Sequence, residues 1–258
     1  LIVVKLGGSV ITNKEKLRSF RRKTCLRLCK ELRPARHELI LVHGAGSFGH
    51  ILAEKAALSD GVEKGDMGKL RLISHIHRDV LSLNAKVLFC MDKNRLHGFS
   101  IPPYSIGSFT SGEIHDFCPE KFERVMSNGY VPVTFGDIVP DRELTFSICS
   151  GDLLMLELAR YFEPEKVIFV TDVDGIYDHD PKISSSARLM DVVSPENIDL
   201  ISAGTRKKDV TGAMKMKLAR MMEIAKHCEN CMILNGNAEG RLEDAIEGRD
   251  VISTRVIA

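Results

Sequence analysis

The strongest constraint on the fold is a recurring order of elements: a short, uniformly apolar run, a glycine-rich turn, then a stretch with helical periodicity. Lys5-Leu6-Gly7-Gly8-Ser9 closes the run that starts at Leu1, and His43-Gly44-Ala45-Gly46-Ser47-Phe48-Gly49-His50 closes the run from Leu39 to Val42. Apolar runs this short, without polar alternation, suit strands covered on both faces, and the helical stretches between them are the crossovers that parallel strands need. Strands are expected at Leu1 to Leu6, Leu39 to Val42, Phe99 to Pro102, Val131 to Thr134, Val167 to Thr171, Met232 to Leu234 and Ile252 to Ile257. Helices are expected at Phe20 to Leu32, His50 to Leu58, Lys69 to Asn94, Glu120 to Ser127, Asp152 to Phe162, Thr211 to His227 and Leu242 to Glu247, with Pro119 opening one and Gly129 and Pro164 just past two others. The class is α/β.

Between Phe135 and Ile148 the chain reads as a hairpin with its turn at Pro140 to Glu143, separating two lobes. With 258 residues, 44% of them hydrophobic, and no internal repeat or flexible linker, one unit with lobes at about 1–146 and 147–258 is expected rather than two independent domains. The 36 basic residues balance 35 acidic ones, so the charge points to neither nucleic acid nor an anionic membrane. No run reaches the length of a membrane span, and a cytoplasmic protein is expected. The seven cysteines are scattered; Cys228 and Cys231 form the only close pair of the CxxC kind, without the second pair or the histidines of a zinc site, and reduced, inert thiols are expected.

Glycine turns at strand ends let a backbone approach an anion closely, and the helix that follows contributes unpaired N–H groups. Besides the two turns above, Ser150-Gly151-Asp152 and Asp209-Val210-Thr211-Gly212-Ala213-Met214-Lys215-Met216-Lys217 open helices. Each alone could be an ordinary tight turn. Together with Lys5, Lys14 and Lys217 they supply what phosphoryl transfer demands: positioning, and cations where charge develops. Each lysine has a competing reading as a solvated surface charge, weakest for Lys5, which ends an apolar strand at a turn.

Three other patterns lead elsewhere and fail on context. Gly44-Ala45-Gly46-Ser47-Phe48-Gly49 satisfies GxGxxG but lacks the following strand and acid of a dinucleotide site. The same run puts His50 where a P-loop needs lysine. His77-Arg78-Asp79-Val80-Leu81-Ser82-Leu83-Asn84 mimics the protein-kinase HRDLxxxN loop, yet lies inside a long amphipathic pattern with no DFG or APE segment.

The ordered set Lys5 to Ser9, His43 to Gly46, Ser150 to Asp152, Thr171-Asp172-Val173-Asp174-Gly175-Ile176-Tyr177 and Asp209 to Lys217 resembles the amino acid kinase family. That resemblance implies a three-layer αβα sandwich with a mostly parallel open sheet, an N-terminal lobe for the phosphoryl acceptor and a C-terminal lobe for ATP. Within the family, Gly46-Ser47-Phe48-Gly49-His50 resembles the branch that phosphorylates isopentenyl phosphate for isoprenoid biosynthesis through the mevalonate pathway. His50 would then hold the acceptor phosphate, a buried structural histidine being the alternative. A fosfomycin-type or other small phosphate or phosphonate kinase is the sister alternative, and a nucleotide-binding sensor or storage protein the non-catalytic one.

Carried over residue by residue, the resemblance has Lys5 and Lys217 on the ATP phosphates and Lys14 on the transferring group. Gly7, Gly8 and Ser9 would cradle the phosphates. Ala45, Gly46 and Gly49 would face the substrate, with Gly46 also reaching the nucleotide; Gly151 would approach the acceptor, and Asp152 would orient lysines. Thr171, Asp172, Asp174, Gly175 and Tyr177 would frame the nucleotide together with Gly212 and Ala213, with Asp180-Pro181-Lys182 completing the loop. Ala213 departs from the family's Gly-Gly pair, at a cost of about 1 kcal/mol if the position requires φ > 0. Mg²⁺ is expected to arrive with ATP rather than in a protein-built site, and the resemblance implies a homodimer. Ile73, Ile76, Val80 and Leu83, at helical spacing, are either plain core or the wall of an apolar pocket for the acceptor tail.

Overall fold

The computed structural model describes residues 1–55, 62, 65–179, 181, 184, 186–198, 201 and 208–258, with backbone only at 55 and 208–215. In chain order the elements are β1 (Ile2–Leu6), α1 (Gly8–Ile11), α2 (Arg22–Glu31), β2 (Leu39–His43), α3 (His50–Lys55), α4 (Met67–Lys93), β3 (Gly98–Ser100), β4 (Ser108–Thr110), β5 (Glu113–His115), α5 (Glu120–Ser127), β6 (Val131–Phe135), β7 (Asp137–Asp141), β8 (Thr145–Cys149), α6 (Gly151–Phe162), β9 (Lys166–Thr171), β10 (Val192–Val193), α7 (Lys208–Ala225), β11 (Asn230–Asn235), α8 (Arg241–Ile246) and β12 (Ser253–Val256).

The eight-stranded sheet runs β10-β12-β11-β9-β1-β2-β6-β3, and only the β11/β12 pair is antiparallel. β1 is the switch point: the chain builds outward to β2 on one side and returns to β9 on the other. A crevice therefore opens beyond the carboxyl ends of β1, β2 and β9, where α/β sheets bind ligands. Both sheet faces are covered. Ile2, Val4, Leu6 and Leu41 pack under Leu28, Leu83 and Val87, while Val3, Ile40, Val42 and Phe169 pack against Leu154, Leu158, Met221 and Ile224. This period-2 division of β1 between two cores explains its unbroken apolar sequence and gives the three layers expected.

Helix ends follow local chemistry. The Ser150 side chain caps α6 by accepting from the Leu153 N–H at 3.1 Å, and α6 stops at Glu163, in the left-handed region immediately before Pro164. Asp66 caps α4 through the Lys69 N–H at 2.9 Å. Gly129, at φ +80, follows the end of α5. Every expected strand is found within two residues of its place. Of the expected helix His50 to Leu58, the part beyond 55 lies outside the described residues.

The hairpin needs a correction. Pro140 pairs with Phe146 and Asp141 with Thr145, so Pro140 lies in β7 and the turn is Arg142 to Leu144. Asp141 sets that turn by accepting from the N–H groups of Glu143 and Leu144, each at 2.9 Å, while Ser111 and Gly112 of the neighbouring β4–β5 turn donate to the same carboxylate. Burial would raise this acid, but the N–H donors outweigh it and hold it at about 2.

Candidate active site

The crevice at the switch point is a cavity of about 820 Å³ whose wall includes Lys5, Gly7, Gly8, Ser9, Lys14, Ala45, Gly46, Gly49, His50, Gly151, Asp152, Thr171, Asp172, Gly175, Tyr177 and Lys217. Segments distant in sequence thus converge on one space.

Its floor is two glycine turns in backbone contact. A Cβ on Gly8 would sit 2.4 Å from the Gly46 nitrogen, and one on Gly44 would sit 2.7 Å from the Gly8 nitrogen, so any side chain there would part the turns. Gly46 also has φ +49. Thr12 staples the pair: its hydroxyl donates to the Gly8 carbonyl at 2.6 Å and accepts from the Ser47 N–H at 3.0 Å. Sequence reading missed Thr12, because a threonine just past a turn carries no signal of its own. It also grouped Gly7 with the phosphate donors, whereas the Gly7 N–H is taken by the Val170 carbonyl at 2.8 Å. Gly8 and Ser9, the first residues of α1, keep N–H groups that no preceding turn of helix can accept.

Above the floor stands a charged centre. The Lys5 stem crosses the start of α6, where a Cβ on Gly151 would lie 3.0 Å from its Cε, and its Nζ bonds Asp152 Oδ1 at 2.6 Å. The ammonium also lies 5.8 Å from the Phe169 ring centroid. Burial alone would raise the Asp152 carboxyl, but the charges of Lys5 and Lys217, the Lys5 hydrogen bond and Arg220 together hold it below the usual range. Its place in the first turn of α6 adds the helix dipole in the same sense. Lys217 is pushed down, first by burial and then by Lys5 and Lys14, against the pull of Asp152 and Asp172. Lys14, on the loop between α1 and α2, reaches Asp172 Oδ2 at 3.5 Å. Lys5, Lys14 and Lys217 thus share the cavity wall with two carboxylates, Asp152 and Asp172, which leaves the three ammonium groups in excess there.

His50 starts α3, and its surface is open to the cavity rather than sealed in the core. Desolvation by the concave site, then the charges of Lys5 and Lys14, lower its pKa, which favours the neutral imidazole in the free site. The structural alternative for His50 falls instead to His43. That ring is buried, stacks on Phe135 at 5.2 Å, lies 3.2 Å from Asn84 Oδ1, and is pushed down to about 4 mainly by burial.

Asp174 is the second correction. It is not on the cavity wall; its carboxylate is bound by Arg241, by Asn235 Nδ2 at 3.2 Å and by the Tyr177 hydroxyl at 3.4 Å, which anchors the loop after β9 from behind. The Thr171 hydroxyl likewise donates to the Val173 carbonyl at 2.9 Å, so these two residues shape the loop that Asp172, Gly175 and Tyr177 present. Asp180 and Lys182 lie outside the described residues, as do the side chains of Asp209, Thr211, Ala213 and Lys215. The backbone at Gly212 and Ala213 is helical, within α7, where no positive φ is called for and Ala213 incurs no such strain.

The apolar stripe on α4 divides between the two uses foreseen for it. Ile76 and Val80 face the cavity beside Ile138 and Ile148, whereas Ile73 packs behind them and Leu83 belongs to the main core. The kinase-like run on the same helix is used as scaffold: His77 Nδ1 lies 2.7 Å from Asp137 Oδ2, Asp79 pairs with Arg18 at 2.6 Å, and Asn84 links His43 to the Ser100 hydroxyl. Among the described residues no three His, Cys, Asp or Glu side chains cluster as metal ligands.

Residues 1–235 match the amino acid kinase family. The chain belongs to that family. Among amino acid kinase relatives, it is 34% identical to isopentenyl phosphate kinase of Methanothermobacter thermautotrophicus, over 99% of this chain and 98% of that one, and 32% identical to isopentenyl phosphate kinase of Thermoplasma acidophilum, over 95% of each. The fold superposes on a solved structure described as an X-ray structure of isopentenyl phosphate kinase, with a TM-score of 0.86, 31% identity and 99% coverage of both chains. This likeness runs the length of the sandwich, so the amino acid kinase architecture read from the turns holds for the whole chain. No helix among the described residues is long and apolar enough to cross a membrane.

Proposed function

We propose that the protein transfers the γ-phosphoryl group of ATP to isopentenyl phosphate, giving isopentenyl diphosphate, an isoprenoid precursor, and ADP. The observation that carries this reading is the pairing of two chemistries in one cavity: His50 beside the Lys5, Lys14 and Lys217 centre, with the apolar patch of Ile76, Val80, Ile138 and Ile148 at the same wall. An anionic head and a small branched hydrocarbon tail ask for that combination.

In this reading residues 1–146 hold the acceptor and 147–258 the nucleotide. Lys5 and Lys217 hold the ATP phosphates over the N–H groups of Gly8 and Ser9, with Gly46 closing the floor, and Asp152 fixes Lys5 in place. Thr171, Asp172, Gly175 and Tyr177 bound the nucleotide, with Gly212 and Ala213 at the start of α7. Ala45, Gly49 and Gly151 line the acceptor's approach, and His50 donates to its phosphate. An ionised oxygen of that phosphate attacks the γ-phosphorus, the bond to the β,γ-bridging oxygen breaks, and its electron pair leaves on ADP. No protein base is needed, because the nucleophile is already deprotonated. Lys14 stabilises charge on the group in flight. The wall offers lysines to phosphate rather than a carboxylate cage, so Mg²⁺ fits as an ion carried by ATP. Homodimer formation belongs to the same reading and rests on the family likeness.

A coupled ADP-release assay across isopentenyl phosphate, fosfomycin, UMP, glutamate and acetylglutamate tests it. Isopentenyl phosphate should give the highest kcat/KM; a preference for an amino-acid acceptor, or nucleotide binding without turnover, would overturn it.

A further inference from the structure

The loop carrying Lys14 is held from outside the cavity. Its base is closed by the Thr12–Phe20 bridge and by the Asn13 N–H donating to the Ser19 carbonyl at 2.9 Å. Its far side rests on the second glycine turn, where the Arg18 N–H donates to the Ser47 carbonyl at 3.2 Å and the Ser19 N–H to the Ser47 hydroxyl at 3.2 Å. From there the Arg18 side chain reaches α4, with Nε 2.6 Å from Oδ2 of Asp79. The Asp79 side chain is only 6% exposed, and Arg78 Nη2 approaches its other oxygen at 3.1 Å. Arg18 has φ +55, a conformation that costs an L-residue energy and persists only where its surroundings fix it. Neither Arg18 nor Asp79 lines the cavity.

Lys14 is a charge on a flexible stem with 62% of its side chain exposed and one carboxylate, Asp172, at 3.5 Å, so where its Nζ spends its time depends on the loop backbone beneath it as well as on that partner. We propose that Arg18 and Asp79 are positioning residues for the transfer step: their ion pair clamps the Lys14 loop to α4 and to the glycine turn, and thereby sets Lys14 over the phosphoryl group in flight. The polar part of the kinase-like run thus acquires a use, because α4 ties the cation loop to the helix whose Ile76 and Val80 border the acceptor's space. The inference rests on the role given to Lys14 above.

The test is a double-mutant cycle on the full chain, with ATP, Mg²⁺ and isopentenyl phosphate as reactants and melting temperature recorded for each variant. Arg18→Ala should lower kcat by about tenfold to a hundredfold, the scale of an ångström-level misplacement, with KM for both substrates within about threefold. Arg18→Lys should recover part of that loss, and Asp79→Asn should reproduce it. In a Lys14→Ala background Arg18→Ala should cost nothing further, because it acts through Lys14. An Arg18→Ala loss of equal size in both backgrounds, or an unchanged kcat beside a crippled Lys14→Ala, would overturn the clamp. Lys14→Ala at wild-type kcat would overturn the Lys14 reading itself, and the clamp with it.

Discussion

Lys5 Nζ and Asp152 Oδ1 meet at 2.6 Å, joining the end of the central strand to the first turn of α6 with both side chains mostly shielded from solvent. The bond resolves a conflict. Several ammonium groups brought together for a polyphosphate repel one another when it is absent, and Asp152, beside Lys5 and Lys217, offsets that repulsion until it arrives.

Asp152→Asn should therefore destabilise the free protein by about 2 kcal/mol or more, the scale of removing one member of a shielded pair. Saturating ATP should restore part of the loss, since its phosphates replace the missing charge. Because the carboxyl is held below its ordinary pKa, the wild-type contribution is fully present above about pH 4 and is lost as pH falls through the folded value. Thermal melts with and without ATP check this; an equal melting-temperature deficit in both conditions would contradict it.

His50 is lowered in the free site, and a dianionic phosphate beside it must raise it again. Acceptor binding then takes up a proton, so the histidine's contribution is complete below its free-state pKa and fades as pH rises through the value in the complex. His50→Gln should lower kcat/KM for isopentenyl phosphate about tenfold to a hundredfold, the worth of one charge-assisted hydrogen bond. It should also flatten the alkaline limb relative to wild type, while ATP affinity stays within about threefold. Identical pH profiles for the two proteins would remove His50 from the phosphate site.

Gly46→Ala places a methyl 2.2 Å from the Thr12 hydroxyl oxygen and 2.8 Å from the Gly8 carbonyl oxygen, at φ +49. Both turns must separate, and nucleotide affinity should fall along with stability. Gly129→Ala supplies the comparison: φ is +80 with nothing within 4 Å, so only backbone strain of about 1 kcal/mol is expected and activity should be unaffected. Equal destabilisation by the two variants would show that contact between the turns contributes nothing.

Asp137 is pushed up to about 6 by burial, despite the opposing charge and hydrogen bond of His77. A carboxyl raised above its unfolded value of about 3.9 favours folding only while protonated, and stability drains away as pH climbs from about 4 through 6. Asp137→Asn should therefore melt above wild type at pH 7.5 and level with it near pH 4, in paired melts at the two pH values. A variant melting at or below wild type at pH 7.5 would contradict this.

What the sequence disclosed and what it concealed divide by range. The central strands β1, β2, β6, β9 and β11 were legible because both sheet faces are buried there, which leaves continuous apolar runs, whereas the short β4, β5 and β10 carry no such run and were not foreseen; the glycine turns were legible because the backbones of Gly8 and Gly46 touch. Lys5 stood out as a charge ending an apolar strand. Concealed were pairings between distant residues of ordinary type: Thr12 to Ser47, Arg18 to Asp79, His77 to Asp137. Asp174 misled in the opposite direction, since its place two residues after Asp172 suggested a shared task, yet Arg241, Asn235 and Tyr177 engage its carboxylate. The turn at Pro140 was misplaced because proline is a turn former by propensity, whereas Asp141 gathers the N–H groups that fix the bend two residues later.

The central claim is that the acceptor is itself a phosphate, and ³¹P NMR of a reaction containing ATP, Mg²⁺ and isopentenyl phosphate tests it most directly. The monophosphate resonance should give way to the coupled pair of a diphosphate ester, one equivalent for each ADP formed. ADP accumulating with inorganic phosphate while the monophosphate signal persists would contradict the account.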